Sequence, residues 1–536
     1  MDITLILTNG KIYTMDGRKF RAIAVSKDRI VQLGTSPEIE AMADSKTKIV
    51  DLNGKTVLPG FNDCHFHLHI HGANRNSVNL EGSKSVQELI EKGKDFVKQT
   101  GKKPGEWISG WGWDQNDFAI CEFPTKEDLD KISTVNPIIT IRTCHHIGAM
   151  NSLAIKMVNA DNESFISGGI FDKDEQGNIN GVFRENAISW VYARVPKLSI
   201  EQIKKNITVA IDEALSLGVT SLQTSDLHDG ISFEEMYEAY MSLKKEGNLK
   251  ARINAQLYLP DKSSLLSFLE KGFKPFEGDN LFKLGPVKLL TDGSMGARTA
   301  ALLDDYSDAH GKKGNLTYSQ EELDEYVNIA HQNGLQIHLH AIGDAAIKAC
   351  VDAIEKAVLL KPSSHRHRIN HVQLGTLELY ERMAKNGILA DIQPVFVSSD
   401  WNLVENRVGK VREQTSYAWK TIMKAEIPIA AGTDAPVEGL NPMHGVYAAV
   451  TRKDRDGNPK NGWRSEESLS VYEALGLYTK GSAFASYEEN EKGTLTEGKL
   501  ADMVIVSEDP FEIEPDRIKD IEVLTTILGG EVVYNK

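Results

Sequence analysis

Four histidines stand at every second position in LPGFNDCHFHLHIHG, residues 58–72: His65, His67, His69 and His71. In an extended strand, residues i and i+2 face the same side, so two such imidazoles could grip one ion. A solvated, histidine-rich turn is the competing reading of this stretch alone. Further polar residues recur singly near the ends of apolar runs: Lys288 in GPVKLLTDG, His340 in LQIHLHAIG, His371 in HRINHVQLG and Asp434 in IPIAAGTDAP. Each alone has a structural reading, as a hydrogen-bonded histidine, a snorkelling lysine or a turn-forming aspartate. Together they point to a metal site, provided that the runs carrying them converge.

The elements that would make them converge can be counted. Residues 57–68, 219–225, 251–259, 285–293, 335–343, 367–375, 387–396 and 427–436 read as strands, mostly separated by amphipathic helical segments. Alternating strands and helices imply parallel βαβ units, and eight of them close into a (β/α)8 TIM barrel. In such a barrel the active site lies at the C-terminal ends of the strands, where these polar residues fall. About 150 residues separate the first two strands, too many for one crossover, so an insertion with its own structure is expected at about 70–210. Residues 1–56 read as short strands broken by Asn-Gly and Asp-Gly pairs that favour hairpins. The segment from about 490 to 536 has the same texture. The two ends are expected to join into one β-sandwich, flanking a barrel domain over 57–489.

The chain resembles the amidohydrolase superfamily, and within it the YtcJ-like branch that includes N-substituted formamide deformylases. The resemblance rests on LPGFNDCHFHLH, VKLLTDGSMGARTAALL, IHLHAIGDAAI, RINHVQ, AAGTDAPV and GTLTEGKLADMVIVSEDP, with GWGWDQNDF and HIGAMNSLAI as marks of the branch. It implies that His65, His67, His340, His371 and Asp434 are metal ligands, and that Lys288 is carboxylated to a carbamate bridging two metals. The open alternative is an ordinary Lys288 paired to Asp292. Zn²⁺ is the expected metal, one or two ions, although Fe, Mn or Co suit the same donors. Asp434 is the expected general base and acid. His146 and Arg298 are candidates for binding substrate, with a loop-fixing salt bridge as the alternative for Arg298. His69 and His71 match nothing in the motif, and a solvated or supporting role is expected for them. Cys64, on the opposite face from His65, is expected to be packed.

The implied activity is metal-assisted hydrolysis of a C–N bond in an amide, N-formyl or cyclic amide small molecule. A mononuclear deaminase of a heterocycle is the rival, but neither HAIGDAAI nor NHVQLG offers the glutamate that usually shuttles its proton. A non-catalytic binding protein is the third reading, and the filled ligand positions argue against it. Composition narrows the partners. A net charge of −15 and a pI near 5.5 argue against nucleic acid. The N-terminus lacks the basic start of a signal peptide, and no apolar run is long enough to span a membrane. The four cysteines, Cys64, Cys121, Cys144 and Cys350, show no CxxC spacing and suit a reducing, cytoplasmic setting. Oligomeric state is open, a homodimer included.

Overall fold

The computed structural model describes residues 2–143, 146–162, 166, 169–226 and 231–536; Cys144 lies outside them. Eight parallel strands form one sheet in chain order: β1 (Phe61–Phe66), β2 (Val219–Thr224), β3 (Arg252–Tyr258), β4 (Phe282–Leu290), β5 (Ile337–Ala341), β6 (Arg368–His371), β7 (Leu389–Ile392) and β8 (Ile429–Ala431). Most of their residues are buried, which explains why the strands read as near-continuous apolar runs. The seam between β8 and β1 is held by Asp434 N–H donating to the His65 carbonyl (2.8 Å) and His67 N–H to the Ala435 carbonyl (3.0 Å). Helices follow the strands where N-caps allow. The helix Gln320–Gln332 starts at a Ser319–Glu322 capping box, which satisfies two backbone donors at once.

Three expectations need correction. The run 57–68 is not one strand. Thr56–Pro59 belongs to another sheet, and β1 starts after Gly60. A side chain at Gly60 would collide with Thr220, so the chain changes sheets where only glycine fits. After Phe66 the strand ends and a helix, Leu68–Arg75, carries His69 and His71. Neither is solvated: both are 4% exposed, and His69 Nε2 meets Asn206 Nδ2 at 3.2 Å. Finally, Asn9-Gly10 and Asn53-Gly54 are not hairpin turns. Leu5–Thr8 and Lys48–Asp51 lie in one sheet, whereas Lys11–Tyr13 and Thr56–Pro59 lie in a second. These pairs are corners where the chain crosses between sheets. At the first, Asn9 has φ 56° and a side chain at Gly10 would strike Leu52.

The first of those sheets also contains Ala22–Ser26 and Arg29–Gly34. The second contains Lys19–Phe20 and, from the far end of the chain, Met503–Val506, Val523–Leu528 and Glu531–Asn535. Both ends share one apolar core that includes Leu7, Ile23, Val57, Met503, Ile505 and Ile527. By internal contacts the chain divides into His69–Val209 and the remainder. The His69–Val209 unit has its own mixed six-stranded sheet, running from Val78–Asn79 through Ile108–Trp113 and Ile138–Arg142 to Gly169–Lys173 at the other edge. Among the described residues, no helix is long and apolar enough to cross a membrane.

A histidine relay pins the start of β6. Ile337 N–H donates to His367 Nδ1 (3.2 Å), so the proton of a neutral ring sits on Nε2 and is donated to His331 Nδ1 (2.8 Å). His331 Nε2–H then donates to the Lys361 carbonyl (2.8 Å). A proton added to either ring would face another N–H. Burial, with His365 and His331 alongside, holds the His367 pKa well below its ordinary value. The folded form therefore binds fewer protons than the unfolded one near pH 6.5. The stability from this group is complete above that pH and is lost as pH falls below it. Each such histidine contributes about 1.4 kcal/mol per pH unit. We expect His367→Gln to flatten the decline of unfolding free energy between pH 6.5 and 4.5 by about that slope in denaturant titrations; an unchanged slope would rule the relay out as its source. We also expect Ile527→Ala to cost about 2–5 kcal/mol, and removal of residues 497–536 to abolish cooperative unfolding, because Met503–Val506 pairs residue by residue with Thr56–Pro59.

Candidate metal centre

His65 reaches the barrel interior at an irregularity in the pairing of β1 with β2, between Asp63 and Phe66, so alternation does not put Cys64 on the expected opposite face: its thiol meets Asp391 of the interior. Cys64 is fully buried among Leu389, Ala430 and Ala485. The Asp63 carboxylate accepts from the backbone N–H of His65 (3.0 Å) and of Thr433 (3.1 Å), and from Thr433 Oγ1 (2.6 Å). That clasp sets β1 against the segment after β8. It places the Asp434 carboxylate, 5% exposed, against both first-strand histidines: Oδ1 lies 3.2 Å from His65 Nε2 and 3.0 Å from His67 Nε2. Asp434 adopts φ 58° and His371 φ 76°. Left-handed backbone is uncommon outside glycine and clusters at functional sites. At His371 it breaks the strand alternation that would point the ring away from the side taken by Arg368 and Asn370. One donor atom from each of His65, His371 and Asp434 lies within 4.8 Å of the other two, and the His340 ring centroid is 4.5 Å from that of His371.

The outer nitrogens of three histidines have fixed partners. His67 Nδ1 lies 2.8 Å from the Ser225 carbonyl, and His340 Nδ1 lies 3.1 Å from Asp292 Oδ1. His371 Nδ1 lies 2.6 Å from Gln393 Oε1, an oxygen identified because Gln393 Nε2 donates to Asn370 Oδ1 (3.0 Å). All three partners are acceptors, so each Nδ1 carries the proton and each neutral ring keeps its lone pair on Nε2. The His371 lone pair faces Asn370 Nδ2 at 2.8 Å. For His67 the consequence is sharp. A neutral ring aims its lone pair at a carboxylate oxygen 3.0 Å away, which is repulsive unless a cation or proton lies between them. Zinc bonds of about 2.0–2.1 Å set neighbouring tetrahedral donors about 3.4 Å apart, close to the separations seen around Asp434. The donors fit a divalent metal, and the orientation of imidazoles by outer acceptors is the usual support for one.

Lys288 is fully buried, and its Nζ lies 3.5 Å from His65 Nε2. Among the described residues no ion pair joins it to Asp292, whose carboxylate is instead occupied by His340 and three backbone N–H groups. Burial lowers the Lys288 pKa to about 7, opposed by Asp434. Burial and then Lys288 lower that of His65 to about 3. For Asp434 burial acts upward, but His65 and His67 outweigh it and hold the carboxyl well below its ordinary range.

Several participants carried no separate signal in the motifs. His338 precedes His340 by two residues and so shares its face; the same alternation that singled out His65 and His67 could have found it. His338 Nε2 and Arg368 Nε each lie 3.0 Å from Asp391 Oδ2, with all three side chains wholly buried. The His338 ring meets that of His65 edge-on at 5.4 Å. Gln393 and Asp391 lie on or after β7, a run that offered no histidine to mark it. The two expected substrate contacts each have an acidic partner. Arg298 makes a bidentate pair with Asp308 (2.9 and 2.8 Å), the geometry of the loop-fixing alternative. His146 belongs to the His69–Val209 unit, where its exposed ring meets Glu185 Oε2 at 3.0 Å.

Comparison with known proteins agrees with this architecture. The chain is 32% identical over 532 residues to a putative amidohydrolase, YtcJ, of Bacillus subtilis, covering 98% of each. It is 24% identical to an N-substituted formamide deformylase of Arthrobacter pascens, covering 99% of this chain and 98% of that one. The crystal structure of an uncharacterized metal-dependent hydrolase from Pyrococcus furiosus superposes with a TM-score of 0.79 at 32% identity, covering 95% of this chain and all of that one. The amidohydrolase family profile matches residues 48–534, and the chain belongs to the amidohydrolase family.

Proposed function

We propose that this protein hydrolyses a C–N bond in an amide, N-formyl or cyclic amide small molecule, with a divalent metal held by His65, His67, His340, His371 and Asp434. The observation that carries the reading is the Asp434 oxygen flanked by two imidazole Nε2 atoms, one of them on a ring whose other nitrogen faces a carbonyl. When bound, the metal polarises the scissile carbonyl and makes a water acidic enough to attack at neutral pH. Imidazole and carboxylate donors favour zinc. Asp434, held anionic by its histidines, accepts the proton of the attacking water and delivers it to the departing nitrogen. The formamide class is favoured by the relative of that name, which aligns over almost the whole chain. A heterocycle deaminase is less well supported: the acidic residue that follows His340 is Asp344, and its Oδ1 accepts from the backbone N–H of Leu303 and Ala345. We retain His146 as a proposed substrate contact, assign Arg298 to ordering its loop, and place the protein in the cytoplasm.

For Lys288 we propose carboxylation. A wholly buried amine 3.5 Å from a ligand nitrogen, with no carboxylate pairing it at ion-pair distance among the described residues, would be an uncompensated cation beside a metal. Addition of CO2 to the neutral amine releases one proton and leaves an anionic carbamate able to bridge two metals.

Three outcomes follow. Protein purified with bicarbonate present should hold two divalent ions per chain, and chelation should abolish hydrolysis of N-formyl or N-acyl compounds. Lys288→Ala should lose at least one ion, with short carboxylic acids partly restoring turnover. A count of one ion with no carboxylate rescue would identify an ordinary lysine. Asp434→Asn keeps the side chain's shape but not its basicity, so it should retain metal and lose about 10²–10⁴-fold in turnover. A loss under tenfold would assign the base elsewhere.

A further inference from the structure

The Asp292 carboxylate is wholly buried and accepts four hydrogen bonds. Its Oδ1 takes His340 Nδ1–H and Ile342 N–H, both at 3.1 Å. Its Oδ2 takes Gly343 N–H (2.9 Å) and Ala301 N–H (3.0 Å). An ionised carboxylate offers about four acceptor positions, so this one is saturated. Among the described residues, its one ion-pair partner is His340. The donors come from two places. Ile342 and Gly343 form the turn after β5, next to His340. Ala301 lies in the loop after β4, the loop that carries Arg298 and is folded on itself through Ser294 N–H to Thr299 Oγ1 (2.9 Å). Close packing leaves this clasp little play, because a side chain at Gly343 would strike the Ala301 backbone and one at Gly293 would strike Thr299.

We infer that Asp292 is a positioning residue that fixes the tautomer and aim of His340 and keys the loop after β4 to that histidine. This rests on the metal-centre reading above, and Asp292 touches neither metal nor substrate. Ionised, it holds the proton on His340 Nδ1 and leaves Nε2 as the basic nitrogen. The same carboxylate sets Ala301, so the position of the loop and the orientation of the ligand are not independent. A neutral amide in its place has one oxygen where there were two, and turns an N–H group toward donors that need an acceptor.

The test measures Zn²⁺ affinity by competition with a chelator, for the full chain and two variants, alongside the melting temperature of each metal-free protein. Asp292→Asn should bind Zn²⁺ about 10–100-fold more weakly, the usual effect of removing an outer partner of a ligating histidine. Thr299→Val removes the side-chain hydrogen bond from Ser294 N–H but leaves the carboxylate, and should keep affinity within about threefold while lowering the melting temperature. Equal weakening in both variants would mean that loop order alone matters and would overturn the inference. Unchanged affinity in Asp292→Asn, with tight binding by the wild type, would overturn it while leaving the metal centre standing. No tight Zn²⁺ binding by the wild type would remove the metal reading for that ion, and this inference with it.

Discussion

Closure of the barrel between its last and first strands is the constraint on which the centre depends. The eight strands are paired from β1 to β8, and the remaining seam is held by a few specific hydrogen bonds. Asp63 supplies several of them, accepting from Thr433 on one side and from His65 N–H on the other. The Asp434 amide completes the seam on the His65 carbonyl. Because His65 lies on β1, and His67 and Asp434 lie just past the ends of the two strands being joined, the interactions that close the fold also set the separations of their donor atoms. A buried carboxylate is costly without partners and strongly fixed with them, so the clasp holds position better than apolar packing alone would.

Beside the candidate donors lies a layer of buried charge. Lys288, His338 and Arg368 are lateral neighbours across β4, β5 and β6, and Asp391 on β7 is the carboxylate among them. Burial raises the Asp391 pKa to about 6 against the pull of Arg368, and holds that of His338 well below its ordinary value. Such groups stabilise a structure only when they satisfy one another, and removing one would leave another buried and unpaired. The layer is therefore a better fit to a requirement of the centre beside it than to one of stability. A barrel filled with branched aliphatic side chains would pack without it.

Family membership and substrate choice are separate matters. Full-length similarity to other amidohydrolases accounts for the barrel and the end sheets. Specificity in a barrel enzyme comes from the loops at the C-terminal ends of its strands. Here these include the segment after β4, tied by Arg298 and Arg407 to Asp308, and the segment after β7, whose Phe396 stacks on His371 at 6.0 Å. The two loops are joined directly: the Ser307 amide donates to the Arg407 carbonyl (2.8 Å).

By itself the sequence determined the eight strands and their order, because parallel strands buried on both faces must be apolar and must alternate with helices. It also determined which strand ends carry polar side chains, but not the face of Cys64, because an irregularity in β1 brings its thiol to Asp391 in the interior. It did not determine where strands stop. The first run contained a glycine whose role appears only when Thr220 is packed against it, and Asn-Gly corners look alike whether they turn a hairpin or cross between sheets. His69 and His71 matched the period of two, yet they lie on a helix, since periodicity does not record where a strand gives way. The partner of Asp292 was likewise a tertiary matter. Lys288 and His340 are both near it by strand position, and the choice fell to His340 because the turn after β5 brings two backbone N–H groups to the same carboxylate. Local pattern fixes which residues can face the barrel interior; the closed geometry decides which donor reaches which acceptor, because buried polar groups must find partners among whatever the other strands and loops bring near.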